Sequence, residues 1–248
     1  MIARALIYPL ILFFLLSCRK ENALDCFKSN GKDITESRSP GHFDYIEVFD
    51  KMEVTVYSGT EYKVDVTAGK HIISNISTKV TDGVLRLENN NKCNFVRGYK
   101  KTIRVRITVP YVTQITNYGV GPITLAEDFH QDKLFLKAEN SGDTYVNGSF
   151  DEVRTSSHGN GDMYFKGTTK TLLVYSYGTN YTHAETMNVS NYIFISTFSI
   201  GDAYFNLNGV GAMDYLIWGD GNIYYKGKAT TMKDLSEVST KGQAIQQD

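Results

Sequence analysis

A short glycine-centred corner recurs about every 20 residues through the second half of this chain, and a period of that length leaves few folds open. The corners are Tyr118-Gly119-Val120-Gly121-Pro122, Asn140-Ser141-Gly142-Asp143, Gly159-Asn160-Gly161-Asp162, Gly178-Thr179-Asn180-Tyr181, Ser199-Ile200-Gly201-Asp202 and Gly219-Asp220-Gly221-Asn222. Marked at 121, 142, 161, 180, 201 and 221, they lie 21, 19, 19, 21 and 20 residues apart. A fixed period with turn residues at one point identifies stacked coils, each of which buries its apolar side only against its neighbours.

Between the corners the apolar residues alternate with a period of two. Leu134, Leu136 and Ala138 share a face, as do Val153 and Thr155, Leu172 and Val174, Ile193 and Ile195, and Met213, Tyr215 and Ile217. After each corner a second alternation follows: Thr144 and Val146, Met163 and Phe165, Ala203 and Phe205, Ile223 and Tyr225. These are short strands. With another glycine a few residues on, at Gly148, Gly167 and Gly227, the pattern predicts an all-β chain, a right-handed parallel β-helix over residues 111–245. Residues 42–110 alternate less regularly and read as a further β-rich part, with a hairpin turned at Asp82-Gly83 and a strand ending at Pro110. Residues 18–41 are polar and read as a tether, and only a short turn near His71 to Asn75 interrupts the strands.

The corner glycines are expected to supply positive φ, and the Asp or Asn that follows to bond back to its own backbone. Asp143 and Asp162 align in neighbouring coils, which leaves a bridging cation as an alternative. The same column continues with Pro122, Tyr181 and Asn222, however, and lacks the denser glycine spacing of calcium-binding repeats.

Two columns of rings flank the corners. Three residues before each mark stand Tyr118, Glu139, His158, Tyr177, Phe198 and Trp218; three residues after it stand Thr124, Tyr145, Tyr164, His183, Tyr204 and Tyr224. Coil-on-coil stacking, or cover by another segment, accounts for such ladders through ring pairs that contribute about 0.5–1.5 kcal/mol each. The functional alternative is an exposed surface that binds sugar rings or a partner protein.

The first 18 residues, MIARALIYPLILFFLLSC, have one positive charge and an apolar stretch shorter than the roughly 20 residues that cross a bilayer. Leu15-Leu16-Ser17-Cys18 resembles a bacterial lipobox. Residues 1–17 then form a signal peptide and Cys18 becomes a lipidated N-terminus, the alternatives being an ordinary secretory leader or a core strand that ends in Cys. Export places Cys26 and Cys93 in an oxidising compartment, where they either pair or stay as free thiols. A disulfide closing that loop would stabilise the fold by roughly 4 kcal/mol.

With 26 Lys plus Arg against 27 Asp plus Glu the net charge is -1, too balanced to grip nucleic acid. No phosphate loop, zinc-protease helix, paired-cysteine metal motif or nucleophile elbow is present. Catalysis on acidic polysaccharides, known on some β-helices, would need clustered carboxylates and a base. The outward columns offer Lys137, Glu139 and Arg154 beside Tyr175, Tyr177 and Phe198, without a paired acid.

Phe43 to Val48, Tyr62 to Val66, Asp82 to Leu87, Ile103 to Pro110 and the corners from Gly119 to Gly221 follow one another in an order that resembles the auto-transporter adhesin, head-GIN-domain family of bacterial lipoproteins. The resemblance spans about residues 42–245 and implies an exported β-helix with no established catalytic residues. The corner at Gly178-Thr179-Asn180 departs from it by lacking the second glycine and the Asp. The sequence thus predicts a non-catalytic lipoprotein without cofactor or metal, anchored in the cell envelope at the outer membrane. It would serve there as a binding or adhesion module for a glycan or protein, the alternative being a β-helical polysaccharide lyase or hydrolase.

Overall fold

The computed structural model of the protein describes residues 29–92, 102–236 and 241–248. Cys18, Cys26 and Cys93 lie outside the described residues. Eighteen strands join in one continuous sheet, and no helix among the described residues is long and apolar enough to cross a membrane.

From the first corner onward the period-2 alternation becomes a parallel solenoid. Strands β8 (Gln114–Asn117), β9 (Ile123–Leu125), β10 (His130–Ala138), β11 (Thr144–Ser157), β12 (Met163–Ser176) and β13 (Thr182–Thr197) supply the first coils. Later coils come from β14 (Ala203–Asn206), β15 (Ala212–Ile217), β16 (Ile223–Lys226), β17 (Thr231–Asp234) and β18 (Ala244–Gln246). Each coil pairs in parallel with the next, so inward residues stack in register: Ile115, Leu136, Thr155, Val174, Ile195 and Tyr215 form one such column. The buried column excludes water from one wall while the alternate residues face solvent, which is why a period of two suffices to place every side chain.

The chain does not build its coils in order. β2 (Tyr45–Val48) and β3 (Met52–Ser58) form a coil that is later covered on both sides. On one side lie β6 (Val84–Asn89) against β2 and β7 (Ile103–Val109) against β3; on the other lie β8 and β9. Beyond β6 and β7 the pairing turns antiparallel. β5 (Ile76–Thr81) covers β6, while β4 (Lys63–Gly69) covers β7 and is itself covered by β1 (Asp33–Arg38). The β5–β6 turn has Asp82 at φ 50 and Gly83 at φ 75, the double positive φ that a two-residue hairpin of this hand requires.

Two expectations change. Residues 33–38 belong to a strand where a tether was expected, because the polar alternation of Asp-Ile-Thr-Glu-Ser-Arg hides an edge strand with one half-buried face. Arg38 fixes it by donating to the carbonyls of Ile76 (2.5 Å) and Ile73 (3.1 Å), across the end of the solenoid. The β-rich part and the coils also share one sheet across Pro110, since β2 and β3 pair directly with β8 and β9.

Candidate functional site

The corners owe their glycines to distance. None of Gly121, Gly142, Gly161, Gly201 and Gly221 has positive φ. A Cβ on Gly161 would instead stand 2.3 Å from the carbonyl oxygen of Gly142, and one on Gly142 would stand 2.2 Å from that of Gly121. Successive corners touch backbone to backbone, so the expectation of positive φ fails there. It holds at Gly178, in the corner that carries Asn180 at the marked position, with φ 95, and positive φ also occurs at the second bend, where Gly148, Gly167 and Gly227 lie at φ 126, 118 and 79.

The acidic column is also used differently from expectation. Asp143 Oδ1 accepts from the backbone N–H of Asp162 (2.9 Å), Asp162 Oδ1 from that of Tyr181 (2.7 Å), and Asp202 Oδ1 from that of Asn222 (2.8 Å). These side chains bind the following coil and not their own backbone.

Where the column lacks glycine, Asn180 is fully buried. Its Oδ1 accepts from Ser157 Oγ (2.9 Å) and Ser176 Oγ (2.5 Å), and its Nδ2 donates to the carbonyls of Gly159 (3.0 Å) and Tyr177 (2.5 Å). The departure from the repeat is a satisfied polar plug.

Backbone hydrogen bonds set the rungs of the first ladder. The N–H of Tyr118 donates to Val48 O, that of Glu139 to Asn117 O, that of His158 to Ala138 O and that of Tyr177 to Ser157 O, at 2.7–2.8 Å. Phe198 and Trp218 repeat this on Ser176 O and Thr197 O, at 2.7 and 2.8 Å. His158 stacks on Tyr177 with centroids 4.7 Å apart, Tyr177 on Phe198 at 5.2 Å and Phe198 on Trp218 at 5.5 Å. Tyr118 stacks on Phe49 at 4.9 Å. Sequence reading missed Phe49 because its coil is separated from Tyr118 by the excursion through β4 to β7. The available signal was Phe49-Asp50-Lys51 between two apolar alternations, with Asp50 at φ 62 where later corners carry glycine.

The second ladder is continuous from Tyr145 through Tyr164, His183 and Tyr204 to Tyr224, with centroids 4.9, 4.7, 5.4 and 5.3 Å apart. All five rings are half-buried. Tyr164 Oη donates to Asp162 (3.4 Å) and Tyr224 Oη accepts from Asn222 Nδ2 (3.3 Å). Burial first, and then the neighbouring carboxylates, push the hydroxyls of Tyr145, Tyr164 and Tyr204 above the usual tyrosine range. These rings are locked into the wall.

The first ladder stands out more. Tyr118, Phe198 and Trp218 are 38%, 45% and 36% exposed. Its interplanar angles of 6–25° mean that each stacked ring covers its neighbour's face and offers solvent its edge.

Lys137 and Glu139 bind each other, which raises the lysine, and the Arg154 guanidinium lies over Phe135 and Tyr175 at 5.2 and 5.0 Å. The charged side chains of the outward columns are thus engaged with one another or with rings. No group of three His, Cys, Asp or Glu among the described residues is arranged to hold a metal.

Among known proteins, the family model described as "Putative auto-transporter adhesin, head GIN domain" matches residues 42–229. No curated protein matches the chain. A crystal structure of a putative adhesin from Bacteroides fragilis is similar with a TM-score of 0.70 at 23% identity, covering 87% of this chain and 96% of that one. A putative adhesin from Parabacteroides merdae gives 0.59 at 19% identity, with 89% and 98% covered. A putative lipid binding protein from Parabacteroides distasonis gives 0.63 at 15% identity, with 88% and 98% covered. At such identities the solved structures establish a shared fold, and the match over most of its length establishes that the chain belongs to the putative auto-transporter adhesin, head GIN domain family.

Proposed function

We propose that the protein is a non-catalytic exported lipoprotein that serves as an adhesion or binding module of the cell envelope, presenting the first ring ladder as its contact face. The single observation that carries this reading is the contrast between the ladders. One is sunk into the wall with its hydroxyls engaged, while the other projects Tyr118, Phe198 and Trp218 from the corners. Large apolar rings grouped along one exposed edge mark contact surfaces, and Trp and Tyr are the side chains that most often dominate binding energy. Anchoring through Cys18 at the outer membrane, and a Cys26–Cys93 disulfide formed after export, complete the proposal on the grounds of the leader-like first 18 residues. The polysaccharide-active alternative has less support, since the Glu139 carboxylate is engaged by Lys137 and Asp143 and Asp162 each accept a backbone N–H of the following coil.

Trp218 is the only Trp in the chain, so its fluorescence reports on this face. Iodide quenches it in the free protein, and a glycan selected from an array, or an anionic or neutral phospholipid vesicle, protects it if it is a ligand. Trp218→Ala weakens that binding by about 2 kcal/mol or more and shifts the melting temperature by only a few degrees. An iodide-inaccessible Trp218, or unfolding of Trp218→Ala, defeats the proposal.

A further inference from the structure

The first ladder has one rung without a ring. From Phe49 to Trp218 every coil places an aromatic or imidazole ring on this column except the coil that places Glu139 there. Two coil spacings of about 4.8 Å put Tyr118 and His158 about 10 Å apart. One face of Tyr118 is covered by Phe49, and one face of His158 by Tyr177. Tyr118 and His158 thus flank the Glu139 rung, each with a stacked ring on its far side.

A ring in contact with carbon on both faces needs about 7–8 Å, and within the ladder a ring meets each neighbour at 4.7–5.5 Å. The interval therefore matches one inserted ring. Both walls are held before anything enters. Phe49 supports Tyr118 and carries the Arg86 guanidinium at 5.4 Å, while Ser156 Oγ lies 2.8 Å from His158 Nε2.

The base of the interval is polar but neutral in sum. Glu139 reaches back along its strand to Lys137, and this side of the pair is only partly exposed, at 33% for Lys137 and 21% for Glu139. A purely apolar ring would take water from this ion pair and give nothing back, which is costly. A charged ligand would find its attraction to one partner offset by repulsion from the other. A ring with apolar faces and hydroxyls on its edge satisfies both requirements.

We propose that the Glu139 rung is a recognition slot for one neutral hexopyranose residue, its two faces against Tyr118 and His158 and its edge hydroxyls on the Glu139–Lys137 pair. Because the ring enters edge-on from solvent, the rest of the glycan must leave from its outer edge. The residue recognised is therefore a chain terminus. This deepens the reading of the first ladder as a binding face and rests on it.

The test uses the full chain with methyl glucopyranoside, methyl galactopyranoside and methyl glucuronide as probes, read by ligand-observed saturation transfer and by the His158 imidazole resonances. A neutral methyl hexopyranoside shifts His158 saturably, and the glucuronide binds no better. Glu139→Phe completes the ladder: it raises the melting temperature and weakens the neutral sugar at least tenfold. Should Glu139→Phe fail to fold, His158→Ala removes one wall and brings the same tenfold loss. The slot is overturned if His158 does not respond to either neutral sugar, or if both variants bind as the wild type does. Protection of Trp218 by a glycan in a Glu139→Phe protein that binds normally overturns the slot and leaves the binding face standing. Sugar binding lost in Glu139→Phe yet unchanged in Trp218→Ala upholds the slot and moves recognition away from Trp218.

Discussion

At Asn180 a local rule of the repeat is broken and the fold gains by it. The other corners place glycine at this point because a Cβ would strike the carbonyl of the preceding coil, as at Gly161 and Gly201. Asn180 escapes this and uses its amide to collect two serine hydroxyls and two carbonyls. Asn180→Gly would restore the repeat, yet it leaves Ser157 and Ser176, both buried, short of an acceptor. A buried polar group without its partner costs about 1–3 kcal/mol, so this glycine is expected to destabilise by about 2–4 kcal/mol in a denaturant titration. A neutral or stabilising result would mean that the hydroxyls find other partners. The need for glycine could be read from the sequence, but its reason could not, since close approach and positive φ demand the same residue.

At the scale of the element, a ladder is stiffened by what each ring has on both faces. Tyr164 lies between Tyr145 and His183, whereas Tyr145 and Tyr224 have one stacked ring each among the described residues. Each stacked pair contributes about 0.5–1.5 kcal/mol beyond burial. Tyr164→Ala is therefore expected to lower stability by about 0.5–1.5 kcal/mol more than Tyr145→Ala does, as measured by unfolding midpoints of the two variants. Equal losses would show that burial alone, and not stacking, sets the value. Both ladders were legible because Tyr145, Tyr164, His183, Tyr204 and Tyr224 sit in coils that are consecutive in sequence. Phe49 was not legible, because β4 to β7 intervene before its neighbour appears. β1 was missed for a different reason: a polar edge strand carries only a weak apolar stripe, and its pairing with β4 comes from the tertiary fold. Nor does sequence show that stacked rings turn their edges outward.

Across the whole molecule the tyrosines give the fold an alkaline limit. Burial and an Asp214 carboxylate that accepts the Tyr192 hydroxyl at 3.0 Å push that phenol up to about 12 from the usual 10. Tyr145, Tyr164, Tyr204 and Tyr215 are raised as well, in each case chiefly by burial. A folded pKa above the unfolded one favours the protonated, native form. The contribution is complete below pH 10 and is lost as pH rises through the folded value near 12. Two units correspond to about 2.7 kcal/mol for Tyr192, and partial solvent exposure reduces that to about 1–2 kcal/mol. Melting temperature is expected to hold up to pH 10 and fall steeply above it, with a shallower fall in Tyr192→Phe. A decline that begins below pH 9, or an identical slope in the variant, would rule out this assignment.

The two ends of the solenoid are unlike. The first is closed by the antiparallel strands β1, β4 and β5, and at the other the last strands among the described residues are β17 and β18, the four residues of β17 being exposed and including Lys233 and Asp234. Asp234 stands in register with Tyr215, on the column that earlier coils fill with Ile195 and Val174, so that a solvent-exposed charge takes the place of an aliphatic side chain there. The coil of β2 and β3, enclosed on both sides, bears on heredity. A duplication or loss of one repeat between Gly142 and Gly221 joins like to like and shifts the molecule's reach by about 4.8 Å. The same event near β2 and β3 would sever two sets of neighbours at once. Length in this lineage is therefore free to drift only toward the carboxyl-terminal end, and descendants of different size should differ there while keeping the same amino-terminal cap.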